Sequence, residues 1–536
     1  MIHVGAATPL WSQSGCDSVA APILVGSEWE QYLRAVSITS AGGKQPWTLR
    51  SFGLRQFADL EPRDSTLPWA NQRPGFAHVR CFKGEPIVVL PMRGQVIHNS
   101  GFPHGKNDAA VWAGRGVSAV AEVGVSANIG PLSVTLAPLG FATQNAAFPL
   151  APNGTTGQYA FADWRAPGVI DLPQRFGDGA YGAIDPGQSS VQVDLGKFAL
   201  GVSSANQYWG PALEHPIILG NNAAGIPHLF IGSSRPLRVG RLGHAHGRVM
   251  WGRPSHTRYA ILPDSMSSRL TSGIVVVLQP AVFPSLEIGG ARFFHVAQNT
   301  FRLDGGELSR PFGALLGVGR ARQIGTASGD EPAENQLASV FARLALRNSG
   351  VEVYGEFGRE DRNWDLREFW LIPDHDAAYL IGLRKVWRRG EELVGFRAEI
   401  LNARATHLAL SSSQVAWYRH SRSVQGHTNR GQVLGSVAAY GGGGAVLAFD
   451  RYTPRGRQTV TWERLQLAEN RDGTNPPDLF ENDVAHVWRA NGLRFGRANI
   501  ELGIAAIYEI NRHFRSDEFS LQTTVTVFPR LSTPTK

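Results

Sequence analysis

From about residue 85 to the C-terminus, apolar and polar residues alternate with a period of two. Val117, Ala119, Ala121, Val123, Val125 and Ala127 share one side of an extended chain, opposite Ser118, Glu122, Gly124, Ser126 and Asn128. Val351, Val353 and Phe357 oppose Glu352, Tyr354 and Glu356, and Val394, Phe396, Ala398 and Ile400 oppose Arg397 and Glu399. At the end, Ile500, Leu502, Ile504, Ala506, Tyr508 and Ile510 oppose Glu501, Glu509 and their neighbours, and Phe519, Leu521, Val525 and Val527 oppose Ser520, Gln522, Thr524 and Thr526. Such alternation predicts strands with one oily and one polar face. About 18 or 19 segments of roughly ten residues follow, separated by Gly, Pro and Asn/Asp turns. Long polar or Gly/Pro-rich insertions interrupt them at about 141–189, 253–268, 299–334 and 359–375.

Period alone leaves two architectures open. In a sandwich the oily faces meet in a core; in a barrel they face lipid and the ionic faces line a lumen. The number of strands, their length and their inward charges favour the barrel, whose closure also removes two aggregation-prone edges. The expected fold is therefore all-β: a transmembrane antiparallel β-barrel of about 18 strands over 85–530. Arg343, Arg384, Arg397, Glu501 and Glu509 are then luminal.

Residues 23–84 read differently. Ser27-Glu28-Trp29-Glu30 has the S-x-x-E form of a capping box, and Trp29, Leu33 and Val36 follow at helical spacing. A second short helix is expected at about 53–60, ended by Pro62. This small helical element is expected on the periplasmic side. Residues 1–22 read either as the tail of a signal peptide that starts upstream or as a disordered terminus. Gln13-Ser14-Gly15-Cys16 lacks the apolar residue of a lipidation site.

Composition adjusts this picture only slightly. The chain has 61 Gly and 14 Trp in 536 residues, which suits a turn-rich barrel with interfacial rings. No run of 18 apolar residues exists, so no spanning helix is expected. Net charge is +8 and mostly arginine, but it is spread along the strands without a basic tail. That distribution speaks against nucleic acid and for an acidic glycan or anionic lipid headgroups. Cys16 and Cys81 are expected to form one disulfide across the N-terminal segment; two free thiols are the other reading.

Four stretches resemble the capsule assembly protein Wzi family of outer-membrane barrels. They are Tyr208-Trp209-Gly210-Pro211 running through Asn221-Asn222 to Pro227; Glu334-Asn335-Gln336-Leu337 leading to Val351–Glu356 with its E-x-Y-G-E centre; Gly426–Gly435; and Ile507–Asn511. The resemblance spans about 85 to the C-terminus. It implies an 18-stranded barrel largely closed to passage, in the outer membrane of a Gram-negative bacterium, that helps to anchor or organise capsular polysaccharide as a surface lectin. The implied partners are capsular or exopolysaccharide of acidic type, outer-membrane lipid and polysaccharide export machinery, with the chain itself a monomer. No catalysis, cofactor or metal is implied.

The ligand-binding candidates are Tyr208, Trp209, Asn221, Asn222, Tyr354, Glu356, Arg384, Arg397, His427 and Arg430. Aromatic faces cover the apolar side of a pyranose, and Asn amides match hydroxyls with a donor and an acceptor. For Tyr208–Pro211 and Asn221-Asn222 the plainer reading is an interfacial ring followed by a turn. Glu352 and Glu356 lie about 13 Å apart along one strand, too far for a glycosidase pair, and internal Arg–carboxylate ladders suit them better. His244-x-His246 and Asp374-His375-Asp376 are weak metal half-sites. Trp387-Arg388-Arg389-Gly390 suits an interface belt, and Gly441–Gly444 resembles no phosphate loop. A porin or transporter is the first alternative function, a glycan-processing enzyme the second.

Overall fold

The computed structural model describes residues 22–529, except 40–44, 53–59, 61–63, 71, 73, 75–77, 83–84, 316–333, 361–375, 405–416, 422 and 470–481. Cys16, residues 1–21 and most of the expected helix at 53–60 therefore lie outside the described residues.

The strand Asn499–Arg512 shows how alternation becomes architecture. Ile500, Leu502, Ile504 and Tyr508 are exposed on the outer surface. Glu501 points inward to Arg457, 3.2 Å away, and Glu509 is buried. The same division recurs in other strands. Val353, Ile381, Ile400, Phe449, Val460, Phe519 and Val525 are exposed, while Glu352, Arg384, Glu399, Asp450 and Glu463 are buried. An outer surface this apolar matches the hydrocarbon-facing band of a membrane barrel. No described helix is long and apolar enough to cross a membrane.

Each strand pairs antiparallel with its neighbour in sequence from Gly243–Gly252 to Ser516–Phe528, apart from the long connections between them. Ser516–Phe528 then pairs back onto Arg93–Asn99, so the pairings run full circle. Glu334–Leu346 and Val351–Glu360 form neighbours with Phe341 opposite Glu356. Four staves near the closing seam are interrupted at one level, at Leu90–Met92, Val123–Gly124, Ala137–Pro138 and Pro186–Ser189. Pro91, Pro138 and Pro186 lack the N–H a ladder needs, so the strands bend there. His228–Ser233 and Leu237–Val239 both pair with Gly243–Gly252 and make one further interrupted stave; counting each interrupted stave once and leaving out His78–Phe82 gives eighteen around the ring of described residues. Beyond the interruption, Glu85–Val89 pairs with His78–Phe82 and with Val125–Ile129.

Turns are short at one end, such as Gly390 with φ +58° between Ala377–Arg389 and Glu392–Asn402. At the other end the connections are long, and two of them, 204–227 and 417–441, turn inward. Trp209, Ala212, Ile217, Ile218, Val433 and Ala438 are almost wholly buried inside the ring.

The helix Glu28–Ser37 enters from the short-turn end. Its N-cap Ser27 accepts from the Glu30 amide at 3.3 Å, and the Glu30 carboxylate reaches back to the Gly26 amide. Trp29, Leu33 and Val36 are buried as their spacing predicts, against Val386, Leu393, Tyr452 and Leu493 at the strand ends. Tyr32 stacks on Trp69 with ring centroids 4.5 Å apart.

Candidate functional site

The lumen is built from inward strand positions that clamp the two plugging elements. Arg34 of the helix contacts Glu352 at 2.5 Å; Glu352 also holds Arg343 at 2.7 Å, and Arg343 reaches Glu287 at 2.5 Å. Glu287 in turn accepts from the amides of Trp47 and Thr48 at 2.9 and 3.1 Å. Arg50 pairs with Glu30 at 3.3 Å and lies 3.6 Å above the ring of Tyr208. One four-group chain thus ties the helix, the following segment and three strands together.

A second clamp seizes the 204–227 connection. Glu399 accepts from the amides of Leu213, Glu214 and His215 at 2.7, 3.0 and 2.6 Å, and from the Tyr354 hydroxyl at 2.6 Å. Beside it, Lys106 contacts Glu214 at 3.0 Å and Glu463 at 2.5 Å. Arg397 bonds Glu214 and lies 3.2 Å from Asp450. Burial works against the charge on Glu214, but Lys106 and Arg397 outweigh it and hold the carboxyl well below its usual range. Burial likewise opposes the charge on Lys106, and Glu214 and Glu463 reverse that and raise it. His215 is held neutral, at about 4, chiefly by burial and secondly by Lys106. Burial pushes the Glu28 carboxyl up to about 7 against the pull of Arg457, with Glu501 and Asp450 adding to the rise.

Between the helix, the loops and the closing seam lies a cavity of about 420 Å³. Tyr208, Asn221, Arg384 and Arg397, four of the expected ligand residues, line it together. Nε and Nη1 of Arg384 carry no hydrogen bond there. The other candidates are dispersed through the packed interior. Trp209 donates its indole N–H to Gln207 at 3.0 Å, and Asn222 donates to the Val433 carbonyl at 3.0 Å. Asn221 donates to the Asn107 carbonyl at 2.9 Å. Glu356 lies under Gly210, where an added Cβ would come within 2.3 Å of its carboxylate. His427 bonds His295 and the Ile218 carbonyl at 2.7 and 2.6 Å. Arg430 is the most open of the ten, beside Asp185. Trp209 and Asn222 are thus buried in the packed interior, while Tyr208 and Asn221 border the cavity; none stands on an exposed platform or in an interfacial belt.

Glu352 sits in the ion-pair chain, as the ladder reading expects. His246 bonds Ser233, while His244 is exposed, and no cluster of metal-binding side chains occurs among the described residues. Sequence reasoning did not single out Glu287, Lys106 or Asp450. Their signal was a charge at an inward strand position or, for Lys106, in a loop between strands.

Together these features define a membrane-type β-barrel whose lumen is packed by its own loops and an N-terminal helix. The profile of the capsule assembly protein Wzi family matches residues 100–496, and the chain belongs to that family. No curated protein sequence matches it. Among solved structures it is similar to Wzi of Escherichia coli, described as a carbohydrate-binding outer-membrane β-barrel involved in group 1 capsule assembly. The identity is 14%, with 95% of this chain and 100% of that chain covered and a TM-score of 0.60. Pseudomonas aeruginosa OccK5 also matches, at 10% identity over 83% of this chain and 98% of that one, with a TM-score of 0.40. Acinetobacter baumannii OccAB1 matches at 9% identity over 82% and 95%, with a TM-score of 0.37.

Proposed function

We propose that this protein resides in the outer membrane of a Gram-negative bacterium and binds and organises capsular or exported polysaccharide at the cell surface, without catalysis. Membership of the capsule assembly family across residues 100–496 is the observation that carries this reading. On it, the long connections face outward and the helical element at 23–84 faces the periplasm, as short turns do in such barrels. The polymer is acidic and meets the outer loops, with the half-open Arg430 as the nearest of the expected residues. The buried residues, Tyr208 and Glu356 among them, act by holding those loops in place. Binding per site is shallow and wet, and repetition along a polymer makes it effective. The protein works as a monomer beside the export machinery.

The test is deletion of the gene in the native strain, with cell-associated and released polysaccharide quantified separately. A shift from the cell to the medium is expected; an unchanged ratio sinks the proposal. Incubation with candidate polysaccharides is expected to give no new reducing ends.

A further inference from the structure

At the short-turn end three cations on or beside the outer wall are held by protein groups. Arg451 pairs with Glu392 at 2.8 Å, Arg388 with Asp64 at 2.9 Å, and Lys385 donates to the Ser349 carbonyl. At the long-loop end two outer arginines, Arg464 and Arg404, have no carboxylate partner among the described residues. Arg464 follows Val460 and Trp462 on the outward face of Gly456–Glu469, and stands opposite His486 on the next strand. Trp462 stands opposite Trp488, which is half exposed. The His486 ring lies between the two indoles, 6.0 and 5.9 Å from them. Arg404 leans over Gln466, two residues beyond Arg464, donating from Nε at 2.8 Å.

Below this cluster the wall is uniformly oily: Ile400, Leu447, Val460, Ile504 and Leu502 are all exposed. Trp462, Trp488 and Tyr508 mark the boundary where rings sit at headgroup depth. Two guanidiniums and an imidazole just above that boundary, on the outer wall, match the level of lipid phosphates. A guanidinium binds phosphate through paired, charge-assisted N–H donors. A soluble polymer fits less well, because the cluster is continuous with surface that hydrocarbon covers.

We propose that Arg404, Arg464 and His486, framed by Trp462 and Trp488, form an outward-facing site for the phosphate group of an outer-leaflet glycolipid. It goes beyond the polysaccharide reading and does not depend on it. It needs only the oily faces to meet lipid and the long loops to lie outside. The site would fix the height and rotation of the barrel among its lipids.

The experiment is native mass spectrometry of the full-length protein in detergent with added lipid A, for the wild type and for R404Q/R464Q. Parallel samples contain lipid A stripped of its phosphates, inorganic phosphate alone, and lipid A with polygalacturonate as competitor. The wild type is expected to retain lipid A about ten-fold better than the stripped lipid, and the double variant to lose that preference. Heat-shifted gel migration checks that the variant is folded; if it is not, the comparison of the two lipids on the wild type still decides. Equal retention of both lipids means annular lipid only and overturns the proposal. So does a folded variant that keeps the preference, inorganic phosphate bound as tightly as lipid A, or displacement of lipid A by polygalacturonate.

Discussion

At the scale of single residues, the interior is held by ion pairs whose members come from distant parts of the chain. Arg34 and Glu352 are separated by 318 residues, and Glu352 is fully buried. Removing Arg34 takes one of two cations from the buried Glu352, which keeps Arg343 at 2.7 Å, so the cost lies below the about 3–5 kcal/mol of a fully uncompensated buried charge. Arg34→Ala is therefore expected to loosen the helix Glu28–Ser37 while the barrel persists. Amide exchange should quicken across the helix and stay unchanged in Asn499–Arg512; uniform exchange would refute the clamp. Glu28 adds a pH dependence. Its carboxyl, raised by burial to about 7 in the docked state, is protonated there and ionised when the helix is free between its usual value and 7. Docking is then strongest below the usual carboxylate value and is lost progressively as pH rises to about 7. Exchange in the helix, corrected for its intrinsic rate, should be faster at pH 7.5 than at pH 5, and Glu28→Gln should flatten that difference. The inward direction of Arg384 and Arg397 was legible from alternation alone. Their partners were not: Glu214 lies 183 residues from Arg397, and no local pattern connects them.

At the scale of elements, strands were legible because both faces are strongly typed, one by lipid and one by a charged lumen. Val353 and Glu352 could hardly exchange places, so register and direction followed from sequence together. The capping box at Ser27 was equally local. The interruptions at Pro91, Pro138 and Pro186 were less visible, since a proline in an alternating run signals a weak position but not that adjacent staves break at one level. The inward fold of 204–227 was hidden altogether. Ile217 and Ile218 are a short apolar run that carries no mark of its destination, and only the ring of strands around them makes the space they fill. Glu399 is what turns that segment inward, since its carboxylate accepts from three successive amides. Glu399→Ala leaves those buried donors unpaired, at about 1–3 kcal/mol each. Limited proteolysis should then cut within 204–227 while wild-type protein stays intact, with heat-shifted gel migration of the barrel retained. A variant that resists protease as the wild type does would show that apolar packing of Trp209 and Ile218 holds the loop without the carboxylate.

At the scale of the whole molecule, the question is whether a barrel of this circumference conducts. Eighteen staves enclose enough room for an aqueous channel when nothing else occupies it. Here the helix blocks the short-turn end through Arg34, Glu352 and Arg343, and the 204–227 and 417–441 connections occupy the middle through Glu399 and the buried apolar side chains around Trp209. The remaining cavity, about 420 Å³, is crossed by Lys106–Glu214 and Arg397–Asp450 pairs that an ion would have to displace. Wild-type protein in a planar bilayer is therefore expected to be silent. Steady open-channel current would instead favour the porin reading and remove the reason for treating the loops as a binding surface. The two clamps meet at the 204–227 connection, because Arg34 also donates to the Pro211 and Ala212 carbonyls at 2.5 and 3.3 Å while Glu399 holds the next three amides, so releasing both should open a path that neither opens alone. R34A/E399A is expected to give flickering conductance, with each single variant near silent. Current through the single Glu399 variant at the level of the double would place the whole barrier in the loop, and would make the helix an anchor at the short-turn end instead of a stopper.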